Sequence, residues 1–251
     1  MKLLLDVGNT RIKWTTLENG VLHEADQIVH RSAAEASIAE LLDRCGLEPE
    51  QVLVSNVAGS GFGKAIVAAV KSRWNLSVAF ALAQSSAGSV RNGYLDYRQL
   101  GVDRWLAILA AVDRYRKAVC IVDAGTAVTI DQVDEQGQHL GGIIVPGLDL
   151  MRQALAGHTG DLERLAGSSQ RLEQTEAELF GRCTDEAIIG GTMSAIRGLV
   201  EQCMETALER WVDPVLVITG GDAERIISNV RRPAQHRPML VLEGLALYVP
   251  E

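Results

Sequence analysis

The chain has 251 residues, a formal net charge of −8, 47% hydrophobic and 22% charged residues, and four cysteines. This length buries a core without disulfide staples, the acidic balance argues against nucleic acid as a direct partner, and Cys45, Cys120, Cys183 and Cys203 are too scattered for a zinc site or disulfide framework. No apolar run reaches the ~20 residues that span a bilayer, and Asp6 interrupts the apolar centre a signal peptide would need, so a cytoplasmic protein with reduced thiols and no membrane association is expected.

The first thirty residues read as antiparallel strands. KLLLDV (2–7) is a buried strand, and RIKWTTL (11–17) alternates, with Ile12, Trp14 and Leu17 predicted to face inward. Asn19-Gly20 is a hairpin signal, and VLHEADQIV (21–29) follows as a third strand. Helical periodicity over 33–45, a strand at QVLVSNV (51–57), a helix over about 62–74 and a short strand at LSVAF (76–80) come next. Residues 84–100 lack periodicity and read as a long loop, the kind that is often functional. A helix is predicted over about 103–117.

The pattern then restarts. AVCIVDAG (118–125), TAVTIDQV (126–133) and HLGGIIVPG (139–147) are strands, and DEQGQ (134–138) is a turn. Helices are predicted through much of 147–210, with His158 as a solvated loop histidine. PVLVITGG (214–221) is a buried strand ending in a glycine pair, a helix follows near 222–231, and strand-like MLVL (239–242) with apolar EGLALYV (243–249) ends the sequence. The two halves match at an offset of 117 positions, which pairs Asp6 with Asp123, Gly8 with Gly125 and Asn9 with Thr126. Two similar α/β lobes, 1–117 and 118–251, facing a central cleft explain this better than one doubly wound sheet.

Each strand–Asp–x–Gly–small-polar–strand unit forms a tight turn. Glycine permits positive φ and close approach of a ligand, and the exposed amides with small polar side chains can surround phosphate oxygens. A carboxylate ~4 Å from a phosphate charge is repelled by about 4 kcal/mol at an effective dielectric near 20. Asp6 and Asp123 are therefore poor phosphate ligands unless a cation intervenes, either Mg²⁺ through water or a monovalent ion. Lys13 can neutralise phosphate directly. An ordinary hairpin with Asp accepting turn amides explains either unit alone; two units at matching places favour nucleotide binding. AGSGFGKA (58–65) mimics a P-loop, but Ala58 stands where glycine is required and Ala65 where the metal-binding hydroxyl is required. It reads as a glycine-rich strand-to-helix connection, and it fits no GxGxxG dinucleotide fingerprint.

The ordered set DVGNTRIKW (6–14), Tyr94, LGVDRW (100–105), DAGTAVTID (123–131), GGIIVPG (141–147), TDEAIIGG (184–191) and TGGDA (219–223) resembles the type III pantothenate kinases of the acetate and sugar kinase/Hsp70/actin superfamily. The resemblance implies an α/β fold of two ribonuclease-H-like (actin-like ATPase) lobes, a homodimer, and ATP-dependent phosphorylation of pantothenate, the first step toward coenzyme A. It implies ATP with Mg²⁺ or another divalent cation, and a monovalent cation, K⁺ or NH₄⁺. Carried onto this chain, Asp6, Val7, Gly8, Asn9, Thr10, Arg11, Ile12 and Lys13 form the first ATP-binding turn, and Thr126, beside Gly125, belongs to the second. Asp123 holds the monovalent cation. Tyr94, Gly101, Val102, Asp103, Arg104 and Thr184 bind pantothenate, with Asp103 as catalytic base. TGGDA lies toward the nucleoside, with no specific contact assigned.

The chemistry agrees with this assignment. A neutral alcohol is a poor nucleophile, and a carboxylate that takes its proton typically contributes about 10²–10⁴-fold. Arg104 can orient the carboxylate of pantothenate. Read alone, GVDR is a helix start with an exposed arginine, Tyr94 a packing residue and Thr184 an N-cap. The rival readings are a related kinase with another small acceptor, a non-catalytic regulatory accessory protein, and an actin-like filament protein, for which the chain is short.

Overall fold

The computed structural model describes residues 1–30, 34–46, 48–158 and 179–248. Its helices are α1 (Ala34–Cys45), α2 (Ser60–Trp74), α3 (Val102–Tyr115), α4 (Leu148–His158), α5 (Thr184–Leu208), α6 (Ala223–Ile227) and α7 (Leu240–Leu247). The chain forms two compact units, residues 1–117 with 133–141 and 239–251, and residues 118–132 with 142–238.

In the first unit β1 (Lys2–Val7) lies between β2 (Arg11–Glu18), antiparallel, and β5 (Gln51–Asn56), parallel. The hairpin after β2 turns on Asn19 at φ 50° and Gly20 at φ 80°, the left-handed pair that a two-residue turn of this hand demands. The predicted third strand divides into β3 (Val21–Leu22) and β4 (Asp26–Val29). Leu17 pairs with Leu22 but Trp14 pairs with Asp26, so three steps along β2 oppose four on its partner. That is a β-bulge, and the Thr15 hydroxyl covers it by donating to the His23 carbonyl at 2.8 Å. β6 (Val78–Phe80) completes the order β3-β2-β1-β5-β6, with β4 on β2.

Alternation along β1 sorts the two faces of this sheet. Leu3, Leu5 and Val7 join Ile12, Trp14 and the apolar sides of α1 and α2 in one core. Leu4 and Asp6 point to the opposite face, together with their ladder partners Lys13, Thr15, Leu53 and Ser55. Helix α7 rests on β1, β2 and β5, and α3 packs along α7 and on β5.

Two segments depart from expectation. Residues 84–100 carry structure of their own: a small hairpin, β7 (Ser86–Ala87) with β8 (Val90–Arg91), and a 3-10 turn at Tyr97–Gln99. The strand-like MLVL opens helix α7 instead. Leu240, Val241, Leu242, Gly244 and Leu245 are all buried, and a short run that only Glu243 interrupts has no clear period by which a buried helix differs from a buried strand. Gly244 permits the packing, because a Cβ there would overlap the Leu106 carbonyl of α3.

The second unit repeats the plan. β9 (Val119–Ala124), β10 (Ala127–Val133), β11 (His139–Pro146), β12 (Val215–Thr219) and β13 (Gln235–His236) run in the order β11-β10-β9-β12-β13. β12 is parallel to β9, as β5 is to β1. Cys120, Val122 and Ala124 face a core with Leu148 of α4, Ile196, Val200 and Met204 of α5 and Ile226 of α6, so Asp123 occupies the other face, as Asp6 does in the first sheet. Helix α4 runs to His158, which therefore ends a helix instead of sitting in a loop. The predicted helical stretch within 159–178 lies outside the described residues. The helix predicted near 222–231 is the short α6. Among the described residues no helix is long and apolar enough to cross a membrane.

Burial pushes the Cys45 thiol up to about 11 and raises those of Cys120 and Cys203, whereas Cys183 is exposed. A raised thiol pKa leaves little thiolate at pH 8. Alkylation of the native protein followed by peptide mass spectrometry is therefore expected to label Cys183 first and to spare Cys45 and Cys120. Substituting Gly244→Ala is expected to cost about 1–3 kcal/mol, read as a lower denaturation midpoint.

Candidate active site

The β1–β2 turn is built from residues 8–11. The Gly8 amide donates to the Arg11 carbonyl at 3.0 Å. Gly8 is not in a left-handed conformation, and a Cβ there would lie 3.3 Å from the Arg11 oxygen, a tight contact. Asn9, Thr10 and Arg11 are exposed, Val7 and Ile12 are buried in the core, and Asp6 and Lys13 are cross-strand partners on the opposite face from that core. Opposite charges placed so support each other. On its other side Asp6 is in register with Ser55.

The matching turn in the second unit lies between β9 and β10, with Asp123 in register with Thr219. Here too a hydroxyl residue on the parallel neighbour stands beside the aspartate. The Gly125 amide donates to the Ala127 carbonyl at 3.0 Å, and Thr126 is exposed. Two further bonds tie off the turn carbonyls: Gly147 N–H to Thr126 at 3.0 Å and Asp222 N–H to Ala124 at 2.9 Å. Both neighbours approach too closely for a side chain. A Cβ on Gly147 would lie 2.6 Å from the Thr126 oxygen, and one on Gly220 2.6 Å from the Ala124 nitrogen. Gly220 also sits at φ +95°, which only glycine adopts without strain.

Four predicted substrate residues come together at the start of α3. Gly101 precedes the helix, and Val102 and Asp103 open it. The Asp103 carboxylate accepts the Arg104 amide at 2.8 Å and lies back over Gly101, where a Cβ would be 2.6 Å from Oδ1. The first turn of a helix favours that negative charge. Arg104 is not the exposed residue that its helix-start context alone suggests. Only 6% of it is accessible, its guanidinium lies 5.4 Å from the Tyr94 ring centroid, and it donates to the Tyr94 hydroxyl at 2.8 Å. Tyr94 in turn stacks on His139, with centroids 5.9 Å apart and planes 15° from parallel. His139 is fully buried and accepts the Gly93 amide at Nδ1 over 3.4 Å. The Asn92 side chain orders the same loop by accepting the Tyr94 amide and donating to the Gln84 carbonyl. Thr184 is the exposed first residue of α5, and Cys183, not Thr184, holds the N-cap position.

Residues 58–65 form a connection and helix start of the first unit. The Asn56 side chain accepts the Ala58 amide and donates to the Gly59 carbonyl, and α2 begins at Ser60.

A glycine turn after an aspartate recurs in each unit, and a carboxylate stands beside a fixed arginine–tyrosine pair at the start of α3. The sequence profile of the type III pantothenate kinases matches residues 2–206. The chain belongs to this family. The type III pantothenate kinase of Nitrosococcus oceani is 36% identical over 255 residues, covering 98% of this chain and 92% of that one. That of Ectopseudomonas mendocina is also 36% identical, covering 100% and 99%. The fold is that of the actin-like ATPases. An activator of 2-hydroxyisocaproyl-CoA dehydratase from Clostridium difficile, solved with bound ADPNP, superimposes with a TM-score of 0.56 at 12% identity, covering 98% of this pantothenate kinase and 93% of the activator.

What the sequence reading of this pantothenate kinase missed is support. Asn92, His139, Gly147 and the Asp222 amide belong to no predicted contact. Asn92-Gly93 is a turn dipeptide that could have flagged the Tyr94 loop. Nothing local marks His139, and Gly147 closes the GGIIVPG stretch without a contact assigned to it. Gly220→Ala is expected to destabilise the enzyme by about 2–4 kcal/mol. It is also expected to weaken binding of a non-hydrolysable ATP analogue at temperatures where the variant remains folded, checked by calorimetric titration.

Proposed function

We propose that this type III pantothenate kinase transfers the γ-phosphoryl group of ATP to the primary hydroxyl of pantothenate, with Asp103 as general base. The observation that carries the reading is the cluster at the start of α3: a carboxylate in the first helical turn, next to a buried arginine held on the Tyr94 hydroxyl. An acceptor that is both an alcohol and an acid needs one group to take a proton and one to hold its oxygens. Asp103 takes the hydroxyl proton as the O–P bond forms and the bond to the leaving ADP breaks. Arg104, already paid for in conformational entropy by its contact with Tyr94, donates to substrate oxygens. Gly101 and Val102 present the helix start, and Thr184 offers a hydroxyl to the same substrate.

Phosphoryl transfer depends mainly on alignment and charge stabilisation. Residues 6–13 supply main-chain donors and Lys13 to the phosphates, and Thr126 supplies a second set. The aspartates serve cations: a divalent ion with ATP near Asp6, and K⁺ or NH₄⁺ at Asp123. Among the described residues no three His, Cys, Asp or Glu side chains form a preset metal cage. We also propose a homodimer, to which exposed Ile143, Ile144, Leu150 and Leu155 of the second unit contribute apolar surface.

With ATP and a panel of small alcohols and acids, pantothenate is expected to be the preferred acceptor; a preference for another would overturn the substrate assignment. Asp103→Asn should fold normally, keep its KM values near wild type and lose about 10²–10⁴-fold in kcat. Near-wild-type turnover would remove Asp103 as base. Asp123→Ala should abolish stimulation by K⁺ or NH₄⁺, measured as rate against added salt at constant ionic strength.

A further inference from the structure

His30 follows directly on β4 and belongs to none of the matched motifs. Only 7% of it is accessible. Its backbone amide donates to the Thr10 carbonyl at 3.0 Å. Its ring nitrogen Nε2 lies 2.7 Å from the Gly8 carbonyl oxygen. A carbonyl only accepts, so Nε2 carries the hydrogen and the ring is the donor. One residue therefore ties off two of the four carbonyls in the turn 8–11.

The geometry has a consequence for the amides. A trans peptide is planar, with its C=O and N–H on opposite sides. Holding the Gly8 oxygen on the imidazole turns the Asn9 N–H away from it, at the exposed tip of the turn. In an ordinary hydrogen-bonded pair the two flanking residues exchange both bonds. Here Gly8 donates to Arg11 within the hairpin while its carbonyl is also engaged from outside.

The ring itself is pinned. It packs on Phe62 of α2 with centroids 4.4 Å apart, and Phe62 belongs to the core of the first unit. The other ring nitrogen, Nδ1, is buried with no partner among the described residues. A side chain kept only to fill space would not bring into the core a ring nitrogen that no described residue partners. The bond from Nε2 is the function that accounts for a histidine here.

We propose that His30 is a positioning residue for phosphoryl transfer, holding the β1–β2 turn so that the Asn9 amide faces the phosphates of ATP. This rests on the phosphate-turn reading above. His30→Leu keeps most of the packing against Phe62 and removes the donor; His30→Gln restores an N–H donor of similar reach. Expected for His30→Leu is a KM for ATP raised about tenfold, the loss from misplacing one hydrogen bond to a charged ligand, with the KM for pantothenate changed less than about twofold. His30→Gln should recover most of that loss.

An unchanged KM for ATP, an equal rise in both KM values, or a glutamine variant no better than leucine would overturn the assignment. Imidazole ¹⁵N spectra of the wild-type enzyme provide a test that needs no variant and no activity. The Nε2–H tautomer supports the proposal, and the Nδ1–H tautomer refutes it even if His30→Leu fails to fold. Absence of ATP-dependent pantothenate phosphorylation in the wild type would instead remove the functional reading, leaving the tautomer result to judge His30 alone.

Discussion

A hairpin turn can offer its amides to an anion only if its carbonyls are occupied elsewhere. Peptide planarity ties the two together, and a carbonyl left facing a phosphate would repel it. In both sheets the first strand carries an aspartate at its penultimate position, and that aspartate is itself unsuited to touch phosphate. In the reading proposed above, the turn amides, lysine and cations carry the attraction, and the surrounding structure keeps the carbonyls turned away.

The two units meet it differently although their sheets share one strand order. In the first, His30 reaches in with a side chain and a backbone amide and holds the Gly8 and Thr10 carbonyls. In the second, backbone alone does it: Gly147 and Asp222 donate to Thr126 and Ala124, and Gly147 and Gly220 come so close that no side chain fits. The first solution uses a side-chain donor beside the turn, and the second uses main-chain donors alone. The internal repeat thus extends to the sheet and to the paired Asp6–Ser55 and Asp123–Thr219 positions, but not to the means by which the turns are fixed.

The proposed acceptor end follows a separate logic. A helix start presents Asp103, and a loop ordered by Asn92 and a buried histidine presents Tyr94 to Arg104. Gly101 leaves space for the Asp103 carboxylate to lie over it. A preformed arginine–tyrosine pair loses less freedom on binding than a free arginine would, which suits recognition of a small flexible acid.

The sequence by itself determined the strands with clear alternation, the Asn19-Gly20 hairpin, the helices α1 and α3, and the repeated Asp–x–Gly turns, because each is written in residues a few positions apart. It also carried the family, through motifs kept in order along the chain. Other features were decided only by tertiary structure. The bulge that divides β3 from β4 depends on how β2 pairs with the following segment. The largely apolar run at 240–247 has no clear period of its own, and it forms a helix that packs Gly244 against Leu106 of α3. Arg104 is buried because Tyr94 and its loop lie against it, and His30 meets Gly8 because the pairing of β4 with β2 brings residues twenty-two positions apart together. Local patterns encode local geometry, whereas a contact between distant residues exists only once packing has chosen which faces meet.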